Sequence, residues 1–251
     1  MSRLKASLRR IQPVRSLWHR WKSFRDQRIY EKLASSFSNI DDFMRYAEKV
    51  GHHNLLQYHR GNADERRRIF QSLFTTLGIS LKGASFLDLG PGYGDSLDLA
   101  REDGATCVEF VDYDPYVVVF NSLKGYKGHR FDYVVGKGLT PLFPNKYDVI
   151  LSKGSINADA FNRKEPGMIL FPAWLAQMEN LASARGQIII CPTFDRGERM
   201  SGASYHVCRD PEAFRQSWFT QILLENGYKT LFIEGFNETE RFPFTFFKKL
   251  G

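Results

Sequence analysis

Residues 85–94, Ser-Phe-Leu-Asp-Leu-Gly-Pro-Gly-Tyr-Gly, place a carboxylate, Asp88, in a short apolar run and follow it with glycine at positions 90, 92 and 94. Glycine there lets the backbone turn sharply and leaves no Cβ between main chain and ligand. Asp95–Glu102 reads as the helix that such a turn opens. A dinucleotide turn runs Gly-x-Gly-x-x-Gly and delivers a pyrophosphate to a helix N-terminus. Here the third glycine, Gly94, comes one residue sooner, and an acid precedes the first. A carboxylate in that place repels a pyrophosphate but pairs with an ammonium group. Further along, the run Cys107–Asp114 ends in two acids, Asp112 and Asp114. An acid about 20 residues after a glycine turn is placed to accept both hydroxyls of a ribose. Asp112 comes first after the apolar run and is the choice for that role. Asp114, followed by Pro115, reads instead as the cap of a helix over Tyr116–Leu123.

S-adenosylmethionine carries an ammonium group and no phosphate. The segment Asp88-Leu-Gly-Pro-Gly-Tyr-Gly94 resembles the first motif of the class I S-adenosylmethionine-dependent methyltransferases, and the resemblance extends over roughly residues 80–250. It implies an α/β fold, a seven-stranded mixed sheet with helices on both faces and a C-terminal antiparallel hairpin. It also implies an enzyme using S-adenosyl-L-methionine, with Asp88, Gly90, Gly92, Gly94 and Asp112 as cofactor contacts. Lys137 and Gly138, after a third strand at Phe131–Val135, and Ser152, at the exit of a fourth, complete the implied cofactor set. Many family members have an Asp after the third strand for the adenine amino group. Lys137 offers only donors, so adenine would rest on backbone groups and apolar walls such as Leu139 and Phe143.

The elements that must position these residues follow in order. Lys146–Gly154 reads as the fourth strand, with Asp148 as a structural acceptor where it begins. Ser152, Lys153, Gly154 and Ser155 line the cleft at its carboxyl end. A helix over Pro172–Ala184 has a core stripe at 174, 175, 178 and 181, and Gln187–Cys191 is strand five. Residues 192–210 lack apolar periodicity and read as a lid. Pro211–Asn226 reads as a helix capped by Asp210 and stopped by Gly227, and Tyr228–Phe236 and Phe242–Lys248 as the closing hairpin.

Methyl transfer from a sulfonium needs alignment more than acid or base groups. No Asn/Asp-Pro-Pro-aromatic sequence follows strand four, which counts against methylation of exocyclic base amines. Cys191-Pro192 reads as a buried thiol at a strand end, not a nucleophile. An oxygen on a small molecule or glycan is the expected acceptor, with His206 as base and Tyr205 positioning the acceptor from the lid. His52, His53 and His59, before the first motif, are alternative bases or plain loop residues. Two other outcomes stay open: an RNA methyltransferase, and a non-catalytic cofactor-binding subunit.

The 251 residues are enough for a full core. Cysteines 107, 191 and 208 have no paired spacing, which argues against a disulfide framework or a metal site and fits a reducing, cytoplasmic compartment. No apolar run approaches the roughly 20 residues of a membrane span. The charge is uneven: residues 1–30 hold nine Lys or Arg against Asp26 alone, a net of +8, while the whole chain carries +7. Leu4, Leu8, Ile11, Val14, Leu17, Trp18, Trp21 and Phe24 recur every three or four residues, giving an amphipathic cationic helix interrupted near Pro13. Attachment to an anionic membrane surface at the cytoplasmic face is the leading reading of this segment. Docking on its own domain or a partner comes next, nucleic-acid binding third and a transit peptide last. The expected organisation is a basic extension over 1–30, a helical cap over 31–80 with helices at Asp41–Val50 and Asp64–Leu77, and the cofactor-binding domain over 81–251.

Overall fold

The computed structural model describes residues 12–52, 55–56, 63–131, 142–157, 167–193, 212, 215–231 and 245–251. Among the described residues, α1 (Gln12–Ser36), α2 (Ile40–Lys49) and α3 (Ala63–Leu77) precede the sheet, with helical residues 55–56 between α2 and α3. Then come β1 (Ser85–Leu89), α4 (Asp95–Glu102), β2 (Cys107–Asp112), α5 (Pro115–Leu123), β3 (Lys127–Arg130) and β4 (Tyr147–Asn157). The chain continues through α6 (Gly167–Leu181), β5 (Ala182–Thr193), α7 (Trp218–Glu225), β6 (Lys229–Leu231) and β7 (Thr245–Lys249). Among the described residues the strands form one sheet in the order β3-β2-β1-β4-β5-β7-β6. All neighbours are parallel except β7, which runs against both β5 and β6.

Alternation along the central strands sorts the core into two layers. Leu87, Leu89, Val111, Ile150, Ile188 and Ile190 face α6 and α7, where Phe171, Leu175, Met178 and Phe219 are buried. Phe86, Phe110, Leu151 and Ile189 point the other way, onto Leu73 and Phe74 of α3 and Leu97 of α4. Each such side chain, removed from water, contributes about 1.5–3 kcal/mol. A third cluster joins the N-terminal helices to α5 through Leu33, Phe43, Ala47, Val119 and Phe120.

The strands and helices depart from the sequence expectations at several places: Ala182–Ala184, expected to close the helix before strand five, open β5, and β4 runs past Gly154 to Asn157. The third strand is Lys127–Arg130, not a run starting at Phe131. Gly125 (φ 87°) ends the turn after α5, and Gly128 lies so close to Phe110 that a Cβ there would sit 2.2 Å from its ring. A polar strand is admissible because β3 is the sheet edge; residues 132–135 lie outside the described ones. Helix α6 starts at Gly167 and carries Pro172 in its second turn, so the proline sits within the helix and does not open it. Ser217, with extended backbone (ψ 152°), caps α7 by accepting from the Thr220 amide, so that helix starts at Trp218. Asp210, the expected cap, is outside the described residues. Helix α1 runs unbroken from Gln12, with Pro13 in the first turn where a missing N–H costs nothing. It also spans residue 30, the expected edge of the extension. No described helix is long and apolar enough to cross a membrane.

Candidate functional site

Asp88 sits in β1 between Phe110 of β2 and Leu151 of β4 and is 1% exposed. Its Oδ2 accepts from the Ser96 hydroxyl at the start of α4. Its Oδ1 is buried without a hydrogen-bond partner. Burial pushes this carboxyl up to about 7, against the pull of Ser96 and the Lys153 charge. A buried carboxylate oxygen with no donor is costly, and Asp88 lines the cleft from which a donor group could reach this atom.

The turn after β1 is built as the spacing required. Gly90, Gly92 and Gly94 all have positive φ, at 90°, 56° and 84°, a region open mainly to glycine. The Gly90 amide donates to the Val111 carbonyl (2.8 Å), which ties the turn to β2. The Asn121 side chain of α5 donates to the Gly92 carbonyl (2.9 Å), and a Cβ on Gly94 would lie 2.1 Å from its Oδ1. The turn is therefore fixed from both sides.

Asp112 ends β2, 5% exposed, and its Oδ1 accepts from the Asp114 amide (2.8 Å). Burial first, then the charges of Asp114 and Asp88, raise it to about 8. Asp114 takes the capping role, accepting from the Tyr116 amide (2.9 Å). Its other oxygen lies 3.3 Å from His52 Nε2, and the His52 ring stacks on Tyr116 at 4.0 Å. His52 is thus held in the cap–α5 packing, whereas His53 and His59 lie outside the described residues.

Between β1, β4 and α3 lies a cleft open to solvent, lined by Arg66, Phe70, Asp88, Gly92, Tyr93 and Lys153. Ser152, expected at the exit of the fourth strand, is fully buried in the middle of β4, which runs on to Asn157, and the next residue, Lys153, puts its Nζ 4.8 Å from the Phe70 ring centroid. Arg66 was not anticipated from the sequence. It reaches from α3 to Asp95, the first residue of α4, with Nε to Oδ2 at 2.6 Å and Nη2 to Oδ1 at 3.3 Å. Its guanidinium also lies 5.1 Å from the Tyr93 ring. The signal was present: Arg66 is three, four and seven residues before the buried Ile69, Phe70 and Leu73, on the stripe of α3 that faces inward.

Other expected residues fall elsewhere. Asp148 is structural, accepting from the Ser85 amide (2.9 Å), the Ser85 hydroxyl (2.8 Å) and the Ser183 hydroxyl (2.9 Å), which hold its carboxyl low. Cys191 is buried beside Thr245 (3.6 Å), and burial raises its thiol to about 11, so no thiolate is offered. Phe143 is 2% exposed and packs on His129 and Tyr147. Pro192 and Thr193, expected to begin the lid, are the last residues of β5. Lys137, Gly138, Leu139, Tyr205 and His206 lie outside the described residues, as do lid residues 194–210.

The sheet order and the antiparallel β7 are the class I methyltransferase fold that the glycine turn led one to expect. No family model matches the chain. No curated protein matches it. Among solved structures, it is similar to an S-adenosylmethionine-dependent methyltransferase from Mesorhizobium loti, at 21% identity and a TM-score of 0.34. That match covers 45% of this chain and 49% of the other, so the chain spans about half that protein's length. It is similar also to a magnesium protoporphyrin IX methyltransferase from Synechocystis with S-adenosylmethionine bound (17% identity, 84% and 97% of the two chains, TM-score 0.46). A third likeness is to an S-adenosylmethionine-bound amino pentose methyltransferase from Micromonospora echinaspora (12% identity, 82% and 97%, TM-score 0.49). The strand order carries the assignment of the fold.

Proposed function

We propose that the chain binds S-adenosylmethionine at the turn after β1 and transfers its methyl group to an oxygen of a small molecule or glycan. The observation that carries this reading is the unpartnered Oδ1 of Asp88, buried at the glycine turn. Asp88 pairs with the ammonium of the methionine portion, and Asp112, across the turn, accepts from the ribose hydroxyls. Asp95 and Tyr93 are engaged by Arg66, which keeps the wall of the cleft in place. Bound there, the sulfonium supplies an electrophilic methyl group for direct displacement.

The chain's own part is then to align the acceptor and accept its proton. His206 is proposed as the proton acceptor and Tyr205 as a positioning group, both from the segment after β5. Lys137, Gly138 and Ser152 complete the proposed cofactor contacts. The raised thiol of Cys191 speaks against a covalent route through that residue. The decisive experiment incubates the protein with methyl-tritiated S-adenosylmethionine and panels of hydroxylated small molecules, oligosaccharides and RNA. Label in a hydroxyl compound, lost in a His206→Ala variant that still binds cofactor, supports the reading. Label confined to RNA, or cofactor binding with no transfer to any panel, refutes it.

A further inference from the structure

Helix α1 is docked on one side only. Leu33 is buried, and the partly buried Ile29 and Tyr30 pack with it against Val119 and Phe120 of α5. Arg130, the last residue of β3, clamps the middle of the helix, donating to the Ser23 carbonyl (3.0 Å) and to Gln27 Oε1 (2.9 Å). The opposite face carries Trp21 at 58% and Phe24 at 64% exposure, the most exposed large apolar side chains among the described residues. Cations surround them: the Arg25 guanidinium is 5.4 Å from the Trp21 ring and that of Arg28 is 6.0 Å from the Phe24 ring. Arg20 is exposed one residue before Trp21. Asp26, the single acid of residues 1–30, is 7% exposed and bonded to Arg25, and the next acid of α1, the exposed Glu31, accepts from Gln27 Nε2.

We propose that this outer face of α1 docks on an anionic phospholipid surface, with Trp21 and Phe24 entering the headgroup boundary and the arginines resting among the lipid phosphates. Bulky aromatics on an uncovered helix face, ringed by guanidinium groups, match the plane of a bilayer. A nucleic-acid single strand is instead held in a groove with stacking platforms, and α1 presents a convex ridge. Charge complementarity favours the same occupant, since residues 1–30 carry +8 and the rest of the chain only −1. α1 also reaches the end of β2, where Asp112 is proposed to hold the ribose: Tyr113, next to Asp112, is 44% exposed, and Lys22 Nζ lies 5.4 Å from its ring. A methyl acceptor carried on a lipid would then approach from the side of the proposed ribose contact. That last consequence rests on the methyltransferase reading, whereas lipid binding does not.

The test is co-sedimentation of the full chain with phosphatidylcholine vesicles containing phosphatidylglycerol, and with phosphatidylcholine alone. Partition should favour the anionic vesicles and fall about tenfold or more in Trp21→Ser/Phe24→Ser and in Arg20→Glu/Arg28→Glu. Calorimetric affinity for S-adenosylmethionine should not change in either variant. Equal binding to both vesicle types, no binding, or binding unaffected by Trp21→Ser/Phe24→Ser overturns the proposal. Retention on single-stranded RNA without vesicle binding, lost in Arg20→Glu/Arg28→Glu, overturns it in favour of nucleic acid. Failure of the unaltered protein to bind S-adenosylmethionine would sink the methyltransferase reading and leave the vesicle result standing.

Discussion

Asp88 and Asp112 are kept from water in the free protein, and that gives them a measurable pH signature. Both carboxyls are raised in the folded state, to about 7 and about 8, mainly by burial. The folded state therefore keeps a proton on Asp88 that the unfolded chain releases from about pH 4 upward, and stability falls as pH climbs from there to about 7. Asp88→Asn should accordingly be more stable than the parent at pH 8, by on the order of 2–4 kcal/mol, with the gap nearly closed at pH 4. Denaturant titrations at the two pH values check this, and a constant gap would contradict it. The ammonium of the cofactor reverses the balance, because it favours the charged carboxylate. Cofactor affinity should then weaken by up to about tenfold per pH unit below 7 as Asp88 becomes neutral. Calorimetry from acid to neutral pH reads that slope, and a flat profile would remove Asp88 from the ammonium. Asp112→Ala should lose about 100-fold in affinity if two ribose hydroxyls bond to its carboxylate. Unchanged binding would strip Asp112 of the ribose role.

At the scale of elements, α3 and α4 are joined by a buried ion pair between Arg66 and Asp95. Arg66→Met leaves the Asp95 carboxylate buried without its partner and should cost about 3–5 kcal/mol, while Arg66→Met/Asp95→Asn should recover much of the loss. Urea midpoints of the four proteins close the cycle, and additive losses would mean that the pair is not coupled. What the sequence made legible was local. The β1–turn–α4 segment could be read because strand, acid, glycines and helix follow each other without a gap, and the structure places all of them there. The stripe of α6 was readable from its period, and Trp174, Leu175, Met178 and Leu181 are indeed buried. Arg66 was hidden because a charged residue in the run Arg66-Arg67-Arg68 looks solvated until the packing of α3 turns one of the three inward. The polar strand Lys127–Arg130 was hidden because edge position, not hydrophobicity, permits it. Its pairing is set by long-range partners such as Glu109, which the Lys127 ammonium meets at 2.7 Å.

Considered as a whole, the described residues form one sheet with the N-terminal helices fastened to it, and α1 runs across residue 30. Deleting residues 1–19 leaves the contacts of Ser23, Gln27, Ile29 and Tyr30 intact and should not change stability. Deleting 1–30 removes all four and should cost on the order of 2–4 kcal/mol. Chemical denaturation of the two shortened proteins distinguishes these outcomes, and equal stability would mean that α1 adds nothing to the fold. The overall topology was foreseeable from a ten-residue turn only through family resemblance; the docking of α1 was not, because it depends on Arg130, more than 100 residues away in sequence. The grip of Arg130 on α1 bears on handling as well as on folding. β3 is the outermost strand at its end of the sheet, and α1 holds its last residue, Arg130, so a preparation clipped by protease within α1 would free that end of the edge strand to pair with a sister molecule. Such material should turn cloudy on concentration while the uncut protein stays clear.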